Sequence, residues 1–158
     1  MQTILFLCTG NYYRSRYAEL LFNELAGRAG LSWRAASRGL LVKPGVNPGP
    51  IAQPTLAALR LAGVTPSQAA IERYPAQVSA GELAGAARVI AVKEAEHRPL
   101  LATGYPGWED RVVYWHIHDL DQATAVEALG EIDALVRALV EELTTDSGTD
   151  SGPMTSGR

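Results

Sequence analysis

Residues Thr3–Leu7 form a short apolar run that passes straight into Cys8-Thr9-Gly10-Asn11-Tyr12-Tyr13-Arg14-Ser15. A helical periodicity over Ser15–Ala29 follows at once. Tyr17, Ala18, Leu21, Phe22 and Leu25 fall close to one face, and Gly30 stops it. A strand with no polar face must be covered on both sides, so this run belongs inside a sheet with helices above and below.

The rest of the chain repeats the alternation. Leu31–Ser37 reads as a second strand, Gly39–Pro50 (three glycines, three prolines) as a loop, and Gln53–Leu61 as a helix that tolerates Pro54 in its first turn. Pro66–Gln77 has no clear period. Ser79-Ala80-Gly81-Glu82 has the form of a capping box before a short helix ending near Ala87. Arg88–Val92 is the third strand, Glu94–Ala102 a helix that Pro99 interrupts, and Arg111–His116 the fourth strand. Ala125–Leu143 carries an apolar stripe of Leu129, Ile132, Leu135, Val136, Leu139, Val140 and Leu143. Residues 144–158 are rich in Ser, Thr, Gly and Asp, and are expected to form a disordered tail behind a single domain over 1–143. Strands alternating with helices imply an α/β fold, an open parallel sheet in a three-layer sandwich with helices on both faces.

Cys8 is the only cysteine, which excludes an internal disulfide framework. A net charge of -3 without a basic stripe excludes a general nucleic-acid binder. No stretch approaches the roughly 18 apolar residues of a membrane span, and no leader pattern opens the chain, so a cytoplasmic, soluble protein is expected.

In open parallel sheets, ligands bind beyond the carboxyl ends of the strands. Cys8 lies at such an end and before a helix N-terminus, where loop N–H groups and the helix dipole favour an anion. Thr9, Gly10, Asn11, Tyr12, Tyr13, Arg14 and Ser15 would form the cradle. Arg14 offers a planar fork that can hold two phosphate oxygens. Gly10 permits unusual backbone angles, and Asn11 tolerates the left-handed region. Ser15 suits a helix cap and could also donate to a thiolate. In that positive field the Cys8 thiol should ionise more readily than a free one. Such a site suits attack of the thiolate on a phosphomonoester through a phosphocysteine, with a carboxyl group serving the leaving oxygen. Trp115-His116-Ile117-His118-Asp119-Leu120-Asp121 supplies the candidates on the same rim. Asp119 is preferred and Asp121 is the alternative, with helix capping as the other job for Asp121 or Thr124. His116 and His118 lack a third ligand, so no metal is expected.

The Cys8–Ser15 run near the N-terminus, with an acidic segment late in the chain, resembles the low-molecular-weight protein tyrosine phosphatases. The resemblance implies a four-stranded parallel sheet in the order 2-1-3-4, Cys8 as nucleophile and Arg14 as phosphate clamp. It also implies that Asn11 holds the loop in a strained shape, that Ser15 stabilises the thiolate, and that Ser37 supports Asn11. It implies no cofactor, and phosphoproteins or small phosphorylated molecules as partners. The chain departs from the family pattern in three places. Asp119 and Asp121 are followed by Leu120 and Gln122 rather than proline, and the tyrosines that follow the family's Asp-Pro are absent. Tyr13 stands where many members have a second cysteine. Arg16 replaces a proline and is expected to add positive charge near the mouth. Tyr12 would border the substrate and either stack on its ring or serve as a groove aromatic. Arsenate reduction with an external small thiol, and a catalytically weak phosphate- or phosphoprotein-binding module, are the competing readings.

Overall fold

The structure, a computed structural model, describes the backbone of residues 1–117 and 125–156 and the side chains of 1–117 and 125–146. Its elements are β1 (Gln2–Cys8), α1 (Arg14–Arg28), β2 (Trp33–Gly39), α2 (Gln53–Leu61), α3 (Gln68–Glu72), α4 (Ala80–Gly85), β3 (Arg88–Ala91), α5 (Glu94–Gly104), β4 (Val113–Tyr114) and α6 (Ala125–Ser156). The four strands form one sheet in the order β2-β1-β3-β4, and every pairing is parallel.

The apolar run of β1 supplies both halves of the core. Ile4, Phe6 and Cys8 face one side, where they join Tyr17, Leu21 and Phe22 of α1 and Ile132 and Val136 of α6. Leu5 and Leu7 face the other and meet Leu83 of α4 and Leu101 of α5. Successive strand residues point to opposite faces, so a strand that is apolar and buried from Ile4 to Cys8 glues two helical layers to one sheet. Burying each such side chain contributes about 1.5–3 kcal/mol.

Several boundaries differ from those expected. β2 begins at Trp33 because Gly30, at φ 71°, closes α1: Gly30 N–H donates to Gly27 O and Leu31 N–H to Ala26 O, which consumes Leu31 in the helix end. Residues 68–72, without a visible period, fold as α3 because the Ser67 hydroxyl accepts the Ala70 N–H. Pro99 lies inside α5 without ending it. β4 is limited to Val113–Tyr114, because Arg111 turns back to donate its N–H to Trp108 O and stacks on the Trp108 ring, 3.9 Å from its centroid. The capping box at Ser79 and Glu82 is present in full. In α6 the stripe is buried except Leu135, which is exposed. The helix continues past Leu143: the Thr144 and Thr145 hydroxyls bond the Val140 and Glu141 carbonyls at 2.7 and 3.0 Å. The side chains of the remainder of the expected tail lie outside the described residues.

Gly39, at the carboxyl end of β2, adjoins the Cys8 loop. A Cβ there would stand 2.8 Å from Thr9 O, a backbone atom, and 2.5 Å from Val42 Cγ2, whereas one on Gly10 would meet nothing within 4 Å. Gly39→Ala should therefore destabilise the fold by about 1–3 kcal/mol, and Gly10→Ala by less than about 1 kcal/mol, in urea titrations; equal losses would contradict the close approach.

Candidate active site

Thr9–Tyr13 connect β1 to α1, and four of the carbonyls between Cys8 and Tyr13 are held by N–H or hydroxyl donors of neighbouring segments. Leu40 N–H donates to Cys8 O and Leu41 N–H to Thr9 O, each at 2.9 Å, and Ala52 N–H donates to Tyr12 O at 3.0 Å. The Thr55 hydroxyl donates to Tyr13 O at 3.0 Å. A loop whose carbonyls face out turns its N–H groups in, making an anion-binding concavity. The Asn11 N–H is aimed at Cys8 Sγ at 3.3 Å, and Ser15 Oγ lies 2.9 Å from the same sulfur. Cys8 is buried.

Among the described residues, Asn11 is the only one other than glycine with positive φ, at 53°. The strain therefore sits at Asn11 and not at Gly10. The Asn11 side chain is fully buried and uses its whole amide. Nδ2 donates to Ser15 Oγ and to Ser37 Oγ, each at 2.9 Å. Oδ1 accepts the Ala76 N–H at 3.1 Å and Arg73 Nη1 at 3.2 Å. Arg73 also reaches Ser37 Oγ and Glu19, and Ser37 donates to Glu19 at 2.5 Å. Ser15 lies inside α1, so it is not the cap; Tyr13 holds that position without a side-chain bond. The Ser15 hydroxyl is committed to Cys8 and Asn11 instead.

Arg16 corrects the expectation of charge at the mouth. It is 1% exposed and lies beneath the loop, donating to Pro50 O and Ala70 O at 2.9 Å each. Burial, with Arg73 close by as a like charge, lowers it to about 10, which leaves it protonated at neutral pH. It ties the loop to residues 50 and 70 and adds no charge where a substrate would enter.

Arg14 is nearly buried and forms an end-on pair with Glu96, Nη1 to Oε1 at 3.2 Å and Nη2 to Oε2 at 2.9 Å. Burial alone would lower its affinity for the proton. The bond to Glu96 and the fields of Cys8 and Glu96 outweigh that and raise it. Glu96 also accepts the Thr9 hydroxyl, and His97 Nε2 lies 3.3 Å from it. Tyr12 donates its hydroxyl to Pro48 O at 2.5 Å, which ties its ring to the Gly/Pro-rich loop. A cavity of about 380 Å³ opens beside Thr9 and Gly10, walled by Leu41, Val46 and Tyr74 with Lys43 at its edge.

Asp119, Asp121 and His118 lie outside the described residues. Both flanks of that segment are anchored near the loop: the Ile117 N–H donates to Val92 O at 3.0 Å, and the Tyr13 hydroxyl donates to Ala125 O at 3.2 Å. His116 is exposed. Among the described residues, no group of three or more His, Cys, Asp or Glu could hold a metal, and no helix is long and apolar enough to cross a membrane. Sequence reasoning missed Glu96, His97, Arg73 and Glu19. The first two follow a strand's carboxyl end, the same rim that singled out Asp119, so that signal was available. Arg73 lies in the stretch without periodicity and had none.

Asn11→Ala leaves a left-handed alanine, strands the Ala76 N–H, and removes the amide that joins Ser15, Ser37 and Arg73. It should cost about 2–4 kcal/mol of stability in chemical unfolding. A loss below about 1 kcal/mol would show that Asn11 is not the brace.

Residues 3–147 match the family model described as low molecular weight phosphotyrosine protein phosphatase. No match arises among curated protein sequences. Similar solved structures include YfkJ from Bacillus subtilis (TM-score 0.75, 23% identity, covering 92% of this chain and 96% of that one). A low molecular weight protein tyrosine phosphatase from T. tengcongensis gives TM-score 0.72 at 22% identity, covering 90% and 99%. The YwlE arginine phosphatase from Geobacillus stearothermophilus gives 0.70 at 21% identity, covering 92% and 95%. With its sheet order, its loop and this match, the chain belongs to the low molecular weight phosphotyrosine protein phosphatases, a family of cysteine-based phosphoric monoester hydrolases.

Proposed function

We propose that Cys8 is the nucleophile of this phosphatase and that protein phosphotyrosine is its foremost substrate. The observation that carries the reading is the convergence on one sulfur of the Ser15 hydroxyl and the Asn11 N–H. Both face the atom that would attack phosphorus and that must later leave it carrying negative charge. The thiolate attacks phosphorus, the S–P bond forms, and the bond from phosphorus to the leaving oxygen breaks. Loop N–H groups and Arg14 hold the equatorial oxygens. The leaving oxygen takes a proton from a carboxyl group, for which Asp119 is the candidate and Asp121 the alternative. That group then accepts a proton from the water that hydrolyses the phosphocysteine. The products are the free hydroxyl and inorganic phosphate, with Cys8 returned as thiolate and Ser15 its nearest donor.

The substrate preference rests on the cavity beside the loop. Its apolar wall of Leu41, Val46 and Tyr74 suits an aromatic ring better than a charged leaving group. Phosphoarginine is the competing substrate, since the similar structures include both a tyrosine phosphatase and an arginine phosphatase.

Cys8→Ser should show no turnover of an aryl phosphate. Arg14→Lys keeps the charge but loses the fork, and should lower kcat/KM at least about 100-fold; near wild-type rates in either would end this mechanism. Phosphotyrosine peptide should be hydrolysed in preference to phosphoarginine peptide and to arsenate reduction with small thiols, and the reverse order would replace the substrate assignment. Asp119→Asn should slow poor leaving groups far more than activated aryl phosphates. If Asp121→Asn shows that pattern instead, the acid is Asp121.

A further inference from the structure

A carboxylate seated on the guanidinium that must hold a phosphate calls for an explanation. Glu96 gathers donors from both ends of the Cys8 loop: the Thr9 hydroxyl just after the cysteine, and Arg14 at the loop's close. His97 completes the set. Its ring is fully buried, and Nδ1 accepts the Lys93 N–H at 3.1 Å. That bond leaves the ring proton on Nε2, which faces Thr9 Oγ1 at 3.2 Å and Glu96 Oε2 at 3.3 Å. The helix that begins after β3 thus reaches across the rim and grips the loop at two points.

The geometry of the guanidinium decides what this grip does. Arginine presents five N–H donors in a planar arrangement. Glu96 takes one from each terminal nitrogen, the end-on fork. The side-on fork, Nε–H with the neighbouring Nη–H, remains for a bidentate phosphate. An arginine held by its end cannot swing, and it needs no reorganisation as charge spreads over the equatorial oxygens.

Resting on the phosphatase reading above, we propose that Glu96 is a positioning residue for Arg14: it holds the guanidinium end-on so that the side-on fork meets the transferring phosphoryl group. It touches neither substrate nor leaving group. The bond from His97, with those from Arg14 and Thr9, outweighs burial and holds Glu96 well below the usual carboxylate range. It therefore carries no proton to donate at neutral pH, and its role is separate from that of the general acid. It occupies a different edge of the guanidinium from the side-on fork, so one cation can serve both anions.

The test compares full-length wild type, Glu96→Ala and Glu96→Gln. The readouts are kcat and KM on an aryl phosphate, inhibition by orthovanadate, and the affinity for inorganic phosphate by calorimetry. Glu96→Ala should lower kcat about 100-fold with a much smaller change in KM, because a loosened clamp costs most where charge develops. Vanadate affinity should fall with kcat, more steeply than phosphate affinity. Glu96→Gln retains one carbonyl acceptor and should recover part of the loss, to within about tenfold of wild type. Being isosteric, it also carries the test if the alanine variant does not fold. Variants within about twofold of wild type in kcat would overturn the proposal. So would tighter phosphate binding in Glu96→Ala at unchanged kcat, which would make Glu96 a competing anion. An active wild type with unaffected variants removes this inference alone. A wild type that neither turns over aryl phosphate nor binds phosphate removes the phosphatase reading with it.

Discussion

The Asn11 side chain makes four hydrogen bonds in a site closed to water, and the geometry of the loop depends on them. A non-glycine residue in the left-handed region costs about 1–2 kcal/mol, and it persists only where its surroundings determine it. Here they do so from three elements: Ser15 on α1, Ser37 on β2, and the stretch from Arg73 to Ala76. Turning Asn11 over directs its N–H at the sulfur, and the amide of the same residue orients the Ser15 hydroxyl that shares that sulfur. One strained residue therefore sets two of the donors around Cys8.

Charge is arranged around this brace in two layers. Arg14 and Glu96 form the upper one, at the rim and partly open. Arg16, Arg73 and Glu19 form the lower one, where Arg16 bonds carbonyls and Arg73 divides its donors between Asn11, Ser37 and Glu19. A buried guanidinium without a bonded carboxylate is costly unless carbonyls replace its hydration, and for Arg16 those of Pro50 and Ala70 do. The replacement of a proline by Arg16 thus changes how the loop is anchored and not what it presents to a substrate.

The order of most elements was legible because β1 is apolar from Ile4 to Cys8 and α1 and α6 carry a clear period, whereas α3 has none. The loop was legible because Cys8, Asn11, Arg14 and Ser15 are local in sequence. Ser37 was reached only through a family resemblance, since nothing in the spacing of β2 marks it. Arg73 was hidden because a charged residue in an irregular stretch looks solvated until the chain folds it under Asn11. Glu96 was hidden for a similar reason: at the start of an amphipathic helix it reads as a favourable first-turn acid. Arg16 was misread because a charge at the foot of a binding loop is ordinarily exposed, and only the packing of residues 50 and 70 over it shows otherwise.

The most direct test of this account is a crystal structure of the protein with tungstate or vanadate. The oxyanion should lie in the loop with its metal atom at Cys8 Sγ. Arg14 should grip it through Nε and one terminal nitrogen, while Glu96 keeps both of its bonds to the end-on edge. An empty loop, or an Arg14 that has left Glu96 to meet the anion end-on, would contradict it.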